Sequence, residues 1–149
     1  MDRGEQAPSR RQTLVIADQV DTLVGMPGTD PKRGDIYKVA AVVVLEPQPK
    51  PQPRPMICVR EQPDEWVWRA MGRSASVGDS TEALFSPANE FLGLSKDGWW
   101  SWRYLMSVKR RWTGTNPDCA YMSTMVDPLL SEVMDYYKGA PRDLRVPGG

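Results

Sequence analysis

The chain has 149 residues, of which 40% are hydrophobic, and this length favours a single domain with a modest core. Its 19 basic residues balance its 19 acidic residues, so the net charge alone does not indicate a nucleic-acid partner. Histidine is absent from the sequence, which excludes histidine general acid–base catalysis, Ser-His-Asp and Cys-His nucleophile activation, and most zinc sites. Any catalysis must therefore use arginine, lysine, carboxylate, hydroxyl or backbone groups.

Cysteine usage and hydropathy indicate the class of protein. Cys58 and Cys119 are far apart and form no CxxC pair, so no disulfide framework is predicted. No stretch reaches the roughly 18 apolar residues of a membrane helix, and the N-terminus lacks a signal-peptide pattern. We therefore expect a cytoplasmic protein without a membrane partner, a cofactor or a bound metal.

The N-terminal residues 1–31 are predicted to be a tail and an extension that precede the domain. Residues 1–12 are polar and are interpreted as a tail. Residues 13–24 fit either a short strand or a helix face, and the sequence at 25–28 (GMPG) ends them. The main domain is predicted at 32–139, and a C-terminal tail at 140–149.

Two β-branched runs and a proline-rich connection open the domain. Residues 36–45 are nearly all apolar and predict a buried strand, and residues 56–59 predict a second strand. Residues 46–53 (EPQPKPQP) have proline at every second position, so they predict an extended loop that cannot join a sheet. This loop fits either a solvated linker or a semi-rigid flap at a binding face.

The remaining chain predicts further strands and one helix. Residues 65–71 alternate as a third strand, residues 72–79 are interpreted as a flexible loop, and 84–85 fit a short strand. Residues 99–112 combine aromatic and basic side chains, which suits either a core strand or a nucleic-acid surface. Residues 128–138 have the apolar spacing of an amphipathic helix, with Asp127 as its predicted N-cap. The predicted fold class is mainly β with a C-terminal helix, as a small barrel or a strongly curved sheet.

The order of several short motifs resembles the MazF/PemK-type toxins, with this chain as a divergent member. That resemblance covers roughly residues 33–138 and rests on 33–37 (RGDIY), 54–59 (RPMICV), 96–98 (KDG), 104–111 (YLMSVKRR) and the closing helix. It implies an SH3-like barrel, usually a homodimer, that cleaves single-stranded RNA without a metal and has a protein antitoxin. The implied reaction is attack of a ribose 2′-hydroxyl on the adjacent phosphate.

The resemblance also implies site residues. Arg54 matches the family's Arg-Pro arginine and would be catalytic, because a guanidinium presents a planar donor fork to phosphate. Ser74 is the closest match to the family's hydroxyl residue, with Ser76 as the fallback. The further candidates for substrate binding are Arg73, Ser76, Arg103, Tyr104, Lys109 and Arg110.

The sequence departs from the family pattern, also in its displaced hydroxyl position beside Arg73 and its N-terminal extension, and leaves other functions open. The proline-rich loop stands where the family has a glycine-rich loop, and Tyr104 occupies the place of a usual glutamine. One alternative is a catalytically inactive scaffold that acts as a protein-binding inhibitor or interaction module. Another alternative is a barrel that binds nucleic acid without cutting it. A related toxin fold poisons DNA gyrase through a C-terminal Trp-Gly-Ile ending. This chain ends in RVPGG, so that function is disfavoured.

Overall fold

The computed structural model describes residues 30–47, 52–60, 66–75, 83–114 and 117–145. The strands within these ranges are β1 (Asp35–Val39), β2 (Arg54–Arg60), β3 (Val67–Ser74), β4 (Ala83–Ser86), β5 (Gly98–Lys109) and β6 (Cys119–Thr124). Two α-helices follow the strands, α1 (Leu129–Lys138) and α2 (Arg142–Arg145). Short 3-10 helices occupy Ala41–Val43, Glu90–Leu92 and Arg110–Trp112. The prediction of a mainly β fold with a C-terminal helix is confirmed.

The six strands form one antiparallel sheet in the order β4-β5-β3-β2-β1-β6. Across the described residues, β4 and β6 remain the two edges, so the sheet is open and a closed SH3-like barrel is not confirmed. The segment after β1 nevertheless crosses to β5, where Val44 forms an isolated bridge with Val108. The N–H of Leu45 donates to the carbonyl oxygen of Ser107 at 3.0 Å, so the crossing is hydrogen-bonded.

Buried side chains lie on both faces of the sheet, and successive strand residues such as Ile36 and Tyr37 belong to different faces because side chains alternate along a strand. One face packs against α1. This cluster includes the sheet residues Ile36, Ile57, Met71 and Leu105 and the helix residues Val133 and Met134. The other face holds a second cluster that includes Tyr37, Met56, Cys58, Trp68, Met106 and Val108. Trp68 can be fully buried because its indole N–H keeps a hydrogen-bond partner, as Nε1 donates to Thr113 Oγ1 at 2.8 Å.

The first predicted strand is shorter than its apolar run. The run 36–45 was expected to be one strand, but β1 ends at Val39 and a 3-10 helix follows at Ala41–Val43. The N–H of Ala40 still bonds to the carbonyl of Asp118 beside β6, and the chain then turns as the N–H groups of Val43 and Val44 donate to the carbonyl oxygens of Ala40 and Ala41 at 3.2 and 3.3 Å. Val43 and Val44 then enter the second core, whereas Val42 is 64% exposed. An apolar run does not reveal a corner when both sides of the corner are buried.

Two other stretches differ from their sequence interpretation. Residues 72–74 were predicted to lie in a flexible loop, but they form the end of β3, and Gly72 is buried. Strand β6 lies where no element was predicted, at the edge beside β1. Helix α2 lies in the predicted C-terminal tail, and its Leu144 carbonyl accepts a hydrogen bond from Arg69 Nη2 at 2.6 Å.

The amphipathic helix is confirmed as α1, which begins at Leu129, one residue after the predicted start. Asp127 Oδ1 accepts hydrogen bonds from the backbone N–H of Ser131 at 2.9 Å and from its hydroxyl at 2.6 Å, which ties down the first turn. Val133 and Tyr137 are buried on the face that packs against the sheet. Most of the predicted extension 1–31, and residues 48–51 of the proline-rich loop, lie outside the described residues.

Candidate functional site

A cleft of about 390 Å³ opens at the end of the sheet where β2 begins and β3 ends. Its walls include the cations Lys38, Arg54, Arg73 and Lys96. Within the described part of the chain, no aspartate or glutamate lines it. Because positive charges converge without a neutralising carboxylate at the wall, the cleft is suited to an anionic ligand such as phosphate.

The antiparallel register brings these residues together. Lys38 lies opposite Pro55, and Val39 lies opposite Arg54, so β1 and β2 present their basic side chains at one end of the sheet. Ser74, the last residue of β3, pairs with Trp99 on β5, next to the turn that carries Lys96. Sequence positions tens of residues apart therefore contribute to one wall.

The Arg54 side chain is buried and extends from β2 over Gly72 of β3 to Tyr104 of β5. Its Cζ atom lies 4.2 Å from the centroid of the Tyr104 ring, a cation–π contact. The glycine at position 72 makes room for it, because a Cβ there would lie 3.2 Å from Arg54 Cδ and 2.7 Å from Tyr104 Cβ. These contacts fix the guanidinium at the cleft.

Arg54 differs from the other two buried arginines in its partners. Arg69 is bound by Glu46, Ser107 and the carbonyl of Leu144. Arg54, by contrast, takes part in none of the ion pairs between described residues. Its buried Nε has no hydrogen-bond acceptor among them, a feature that it shares with Arg69 Nε, so the missing carboxylate partner is what distinguishes Arg54. A buried donor without an acceptor is costly, so a bound anion would stabilise this side chain.

Arg73 lines the same cleft but is held by protein acceptors. Its Nε donates to Ser86 Oγ at 3.0 Å, and its Nη2 donates to the carbonyl oxygens of Ser86 at 2.7 Å and Lys96 at 2.6 Å. Burial lowers the pKa of Arg73, and the nearby Asp97 carboxylate opposes that shift. Arg73 therefore ties β4 and the 95–98 turn to β3 while adding positive charge to the wall.

The two predicted serines have different outcomes. Ser74 is half-buried and lines the cleft together with Arg54, so the structure brings the two predicted catalytic residues to one site. Ser76, the fallback, lies outside the described residues. Tyr104, predicted to bind substrate, contacts Arg54 through its ring and is not among the residues that line the cleft.

The remaining predicted substrate-binding residues do not line the cleft. Arg103 is exposed on β5, and neither Lys109 nor Arg110 belongs to the cleft wall. Lys109 pairs with Val67 at the opposite end of β3 from Ser74. Seven residue steps of about 3.3 Å each separate these two ends by about 23 Å. The basic end of β5 is therefore a separate surface.

Sequence reasoning missed Lys38, Lys96 and Gly72 as parts of the site. Lys38 carried a signal, because it is a single charged residue inside an otherwise apolar run. In a strand with one buried face, such a residue indicates a side chain that points away from the core. Gly72 was interpreted as a loop glycine, although an isolated glycine in a strand also indicates a close approach by neighbouring atoms.

Two further observations bear on the class of site. Among the residues that the structure describes, no group of three aspartate, glutamate, cysteine or histidine side chains could hold a metal ion. In the same ranges, no helix has the length and apolar character needed to cross a membrane. No protein-family model and no curated protein matches this sequence.

Proposed function

We propose that this protein is an endoribonuclease that cleaves single-stranded RNA without a metal ion, with Arg54 as its principal catalytic residue. One observation carries the proposal: a buried arginine, without a carboxylate partner among the described residues, lies with Ser74 in a cation-lined cleft. Structural arginines in this sheet are bound by protein acceptors, as Arg69 is. A guanidinium that is held at a cleft, with no such acceptor in the described part of the chain, is suited to phosphate.

The proposed reaction breaks one P–O bond and forms another. The ribose 2′-oxygen loses its proton to solvent and attacks the adjacent phosphorus, and the 5′-oxygen of the next nucleotide leaves and takes up a proton. The products are a 2′,3′-cyclic phosphate and a free 5′-hydroxyl. Negative charge that develops on the phosphate oxygens would be stabilised by the Arg54 guanidinium, while the Ser74 hydroxyl donates a hydrogen bond to one of them.

Lys38 and Lys96 complete the proposed electrostatic site. Both lysines are exposed and line the cleft, so their ammonium groups can contact the phosphates on either side of the scissile bond. Such contacts would position the RNA backbone without reading its bases. We therefore assign these lysines to substrate binding rather than to the chemical step.

The proposal includes the fold and the assembly that the sequence resemblance implies. An SH3-like barrel would require the chain after β1 to join β5, and the bridge between Val44 and Val108 supports this part. The protein would then act in the cytoplasm as a toxin-like homodimer, with a protein antitoxin as its partner. These assignments are tested by the mass of the purified protein in solution and by co-purification with a neighbouring gene product.

The activity is tested with single-stranded RNA in buffer that contains excess chelator. Site-selective cleavage that leaves 2′,3′-cyclic phosphate ends is expected for the wild-type chain and for Arg103→Ala, which removes an exposed arginine outside the cleft wall. Arg54→Ala should abolish the cleavage. Intact RNA at micromolar wild-type protein would overturn the nuclease proposal and favour the catalytically inactive, protein-binding scaffold.

A further inference from the structure

A second basic surface lies at the end of the sheet opposite the cleft. It consists of Trp66, Lys109, Arg110, Arg111 and Trp112, and we call it the basic–aromatic patch. The side chain of Trp66 is 71% exposed, and that of Trp112 is 39% exposed. Large exposed aromatic residues often mark an interaction site.

Backbone pairing holds the two parts of the patch together. The N–H of Arg110 donates to the carbonyl oxygen of Trp66 at 2.8 Å, and Lys109 pairs with Val67 across the β3–β5 ladder. Arg111 lies over the ring of Trp112, with Cζ 5.7 Å from the centroid. The patch is therefore built on a fixed part of the sheet.

The patch carries three basic side chains, and one of them, Arg110, lies beside an acidic side chain among the described residues. Arg110 Nη1 lies 3.6 Å from Asp30 Oδ1, and this carboxylate also contacts Lys32. Arg111 is exposed, and Lys109 is half-buried with its Nζ 3.4 Å from the carbonyl of Val42. Cations beside exposed indole rings match single-stranded nucleic acid, because the cations meet phosphates and the rings stack on bases.

We propose that the basic–aromatic patch is a second binding site for single-stranded RNA, distinct from the Arg54 cleft. The inference rests on the proposed nuclease function, since the patch would hold the same RNA chain that enters the cleft. Because β3 separates the two sites by about 23 Å, a short oligonucleotide can occupy only one of them. The patch would therefore raise the affinity for longer RNA by adding a second point of attachment.

The test measures RNA binding by fluorescence anisotropy on full-length Arg54→Ala protein, so that cleavage does not interfere. The probes are labelled single-stranded RNAs of about 4 and about 16 nucleotides, the range that small single-strand-binding modules cover. Adding Trp66→Ala should weaken binding of the long probe about tenfold, the size expected for one lost base stack. Arg111→Gln should reduce the slope of the logarithm of the binding constant against the logarithm of salt concentration by about 0.7, the value for one lost phosphate contact.

Phe91 provides the matched control for an exposed aromatic residue. Its side chain is 89% exposed and follows the acidic Glu90. Adding Phe91→Ala should leave the affinity for the long probe unchanged. Equal affinities with and without Trp66, or binding that salt does not weaken, would overturn the proposal and leave the patch as a surface for a protein partner.

The patch and the nuclease proposal can fail separately. If the wild-type chain cleaves RNA and Trp66→Ala leaves RNA binding unchanged, the second binding site is refuted and the nuclease proposal is retained. If Trp66→Ala weakens RNA binding but the wild-type chain does not cleave RNA, the RNA-binding surface is supported and the nuclease proposal is refuted.

Discussion

The guanidinium of Arg54 stacks on the ring of Tyr104, with its Cζ atom 4.2 Å from the ring centroid. This contact joins the first residue of β2 to the middle of β5 across β3, where Gly72 leaves space for both side chains. Cation–π contacts contribute about 0.5–2 kcal/mol, and they restrict the orientation of the arginine. Among the residues that the structure describes, Arg54 is therefore positioned by an aromatic face rather than by a carboxylate, which makes its positive charge suited to a ligand.

The first prediction concerns Tyr104 as a positioning residue. Tyr104→Phe keeps the aromatic face and should retain RNA cleavage within about twofold, because the contact depends on the ring. Tyr104→Leu removes that face and should lower kcat about tenfold with a smaller change in KM, since Arg54 loses its fixed orientation. Single-turnover and steady-state kinetics measure the two effects. Equal rates for the Phe and Leu variants would show that the ring does not position Arg54.

The second prediction concerns the glycine under Arg54. Gly72→Ala should lower the free energy of unfolding by about 1–3 kcal/mol, because the new Cβ would lie 2.7 Å from Tyr104 Cβ. Gly139→Ala is the control, since a Cβ there meets its nearest atom at 3.4 Å. That variant should change stability by no more than about 0.5 kcal/mol. Urea unfolding measures both, and equal effects at the two positions would refute the steric account.

The third prediction concerns the buried charge of Arg69. Glu46 Oε2 accepts from Arg69 Nη1 at 3.0 Å, and Glu46 Oε1 accepts from the N–H of Ser107 at 2.7 Å. Glu46→Ala should lower the free energy of unfolding by about 1–3 kcal/mol, because Arg69 Nη1 and the N–H of Ser107 each lose an acceptor oxygen. Glu46→Gln keeps an amide oxygen and should cost less. Urea denaturation gives the order, and a Gln variant as unstable as the Ala variant would contradict it.

The fourth prediction is a loss of stability at high pH that depends on Cys119. Burial raises the pKa of this thiol from the ordinary value of 9.0 to about 11, although contacts with Thr113 and Gly114 oppose the shift. The unfolded chain therefore loses its thiol proton at a lower pH than the folded chain. The stabilising contribution is complete below pH 9.0 and is lost as pH rises towards about 11.

Urea unfolding at a series of pH values measures this effect. Cys119 should contribute up to about 1.4 kcal/mol of lost stability per pH unit within that window. Other groups also titrate there, so the wild-type slope is compared with that of Cys119→Ala. The variant should show a shallower decline above pH 9.0. Parallel pH profiles for the two proteins would rule out a contribution from this thiol.

The regular elements of the fold could be predicted because their local patterns match their burial. The structure keeps the continuous apolar run 56–59 as β2 and the helical apolar spacing of 128–138 as α1, with shifts of one or two residues at their ends. The corner at Ala41–Val43 could not be predicted in the same way, because the apolar run continues through the corner without a polar or glycine residue to mark it. The chain beyond this corner is held by the bridge of Val44 to Val108 and the hydrogen bond of Leu45 to Ser107, which are contacts between distant parts of the chain.

The candidate site was predictable only in part for a related reason. Arg54 and Ser74 could be selected because short motifs with a family resemblance carry them, and both line the cleft. Lys38 and Lys96 join them through strand register and a turn, which no local pattern encodes. Conversely, Lys109 looks like a site residue in the sequence, but its register places it opposite Val67 at the far end of the sheet.

The most direct test of the central claim is the single-turnover rate of RNA cleavage, in chelator, for wild-type, Arg54→Ala, Arg54→Lys and Arg103→Ala proteins. Removing one donor that stabilises a developing oxyanion typically lowers the rate about 100- to 1000-fold. We therefore predict a loss of about that size for Arg54→Ala, a partial loss for Arg54→Lys and no more than about a twofold change for Arg103→Ala. Cleavage at the wild-type rate by folded Arg54→Ala protein would contradict the account.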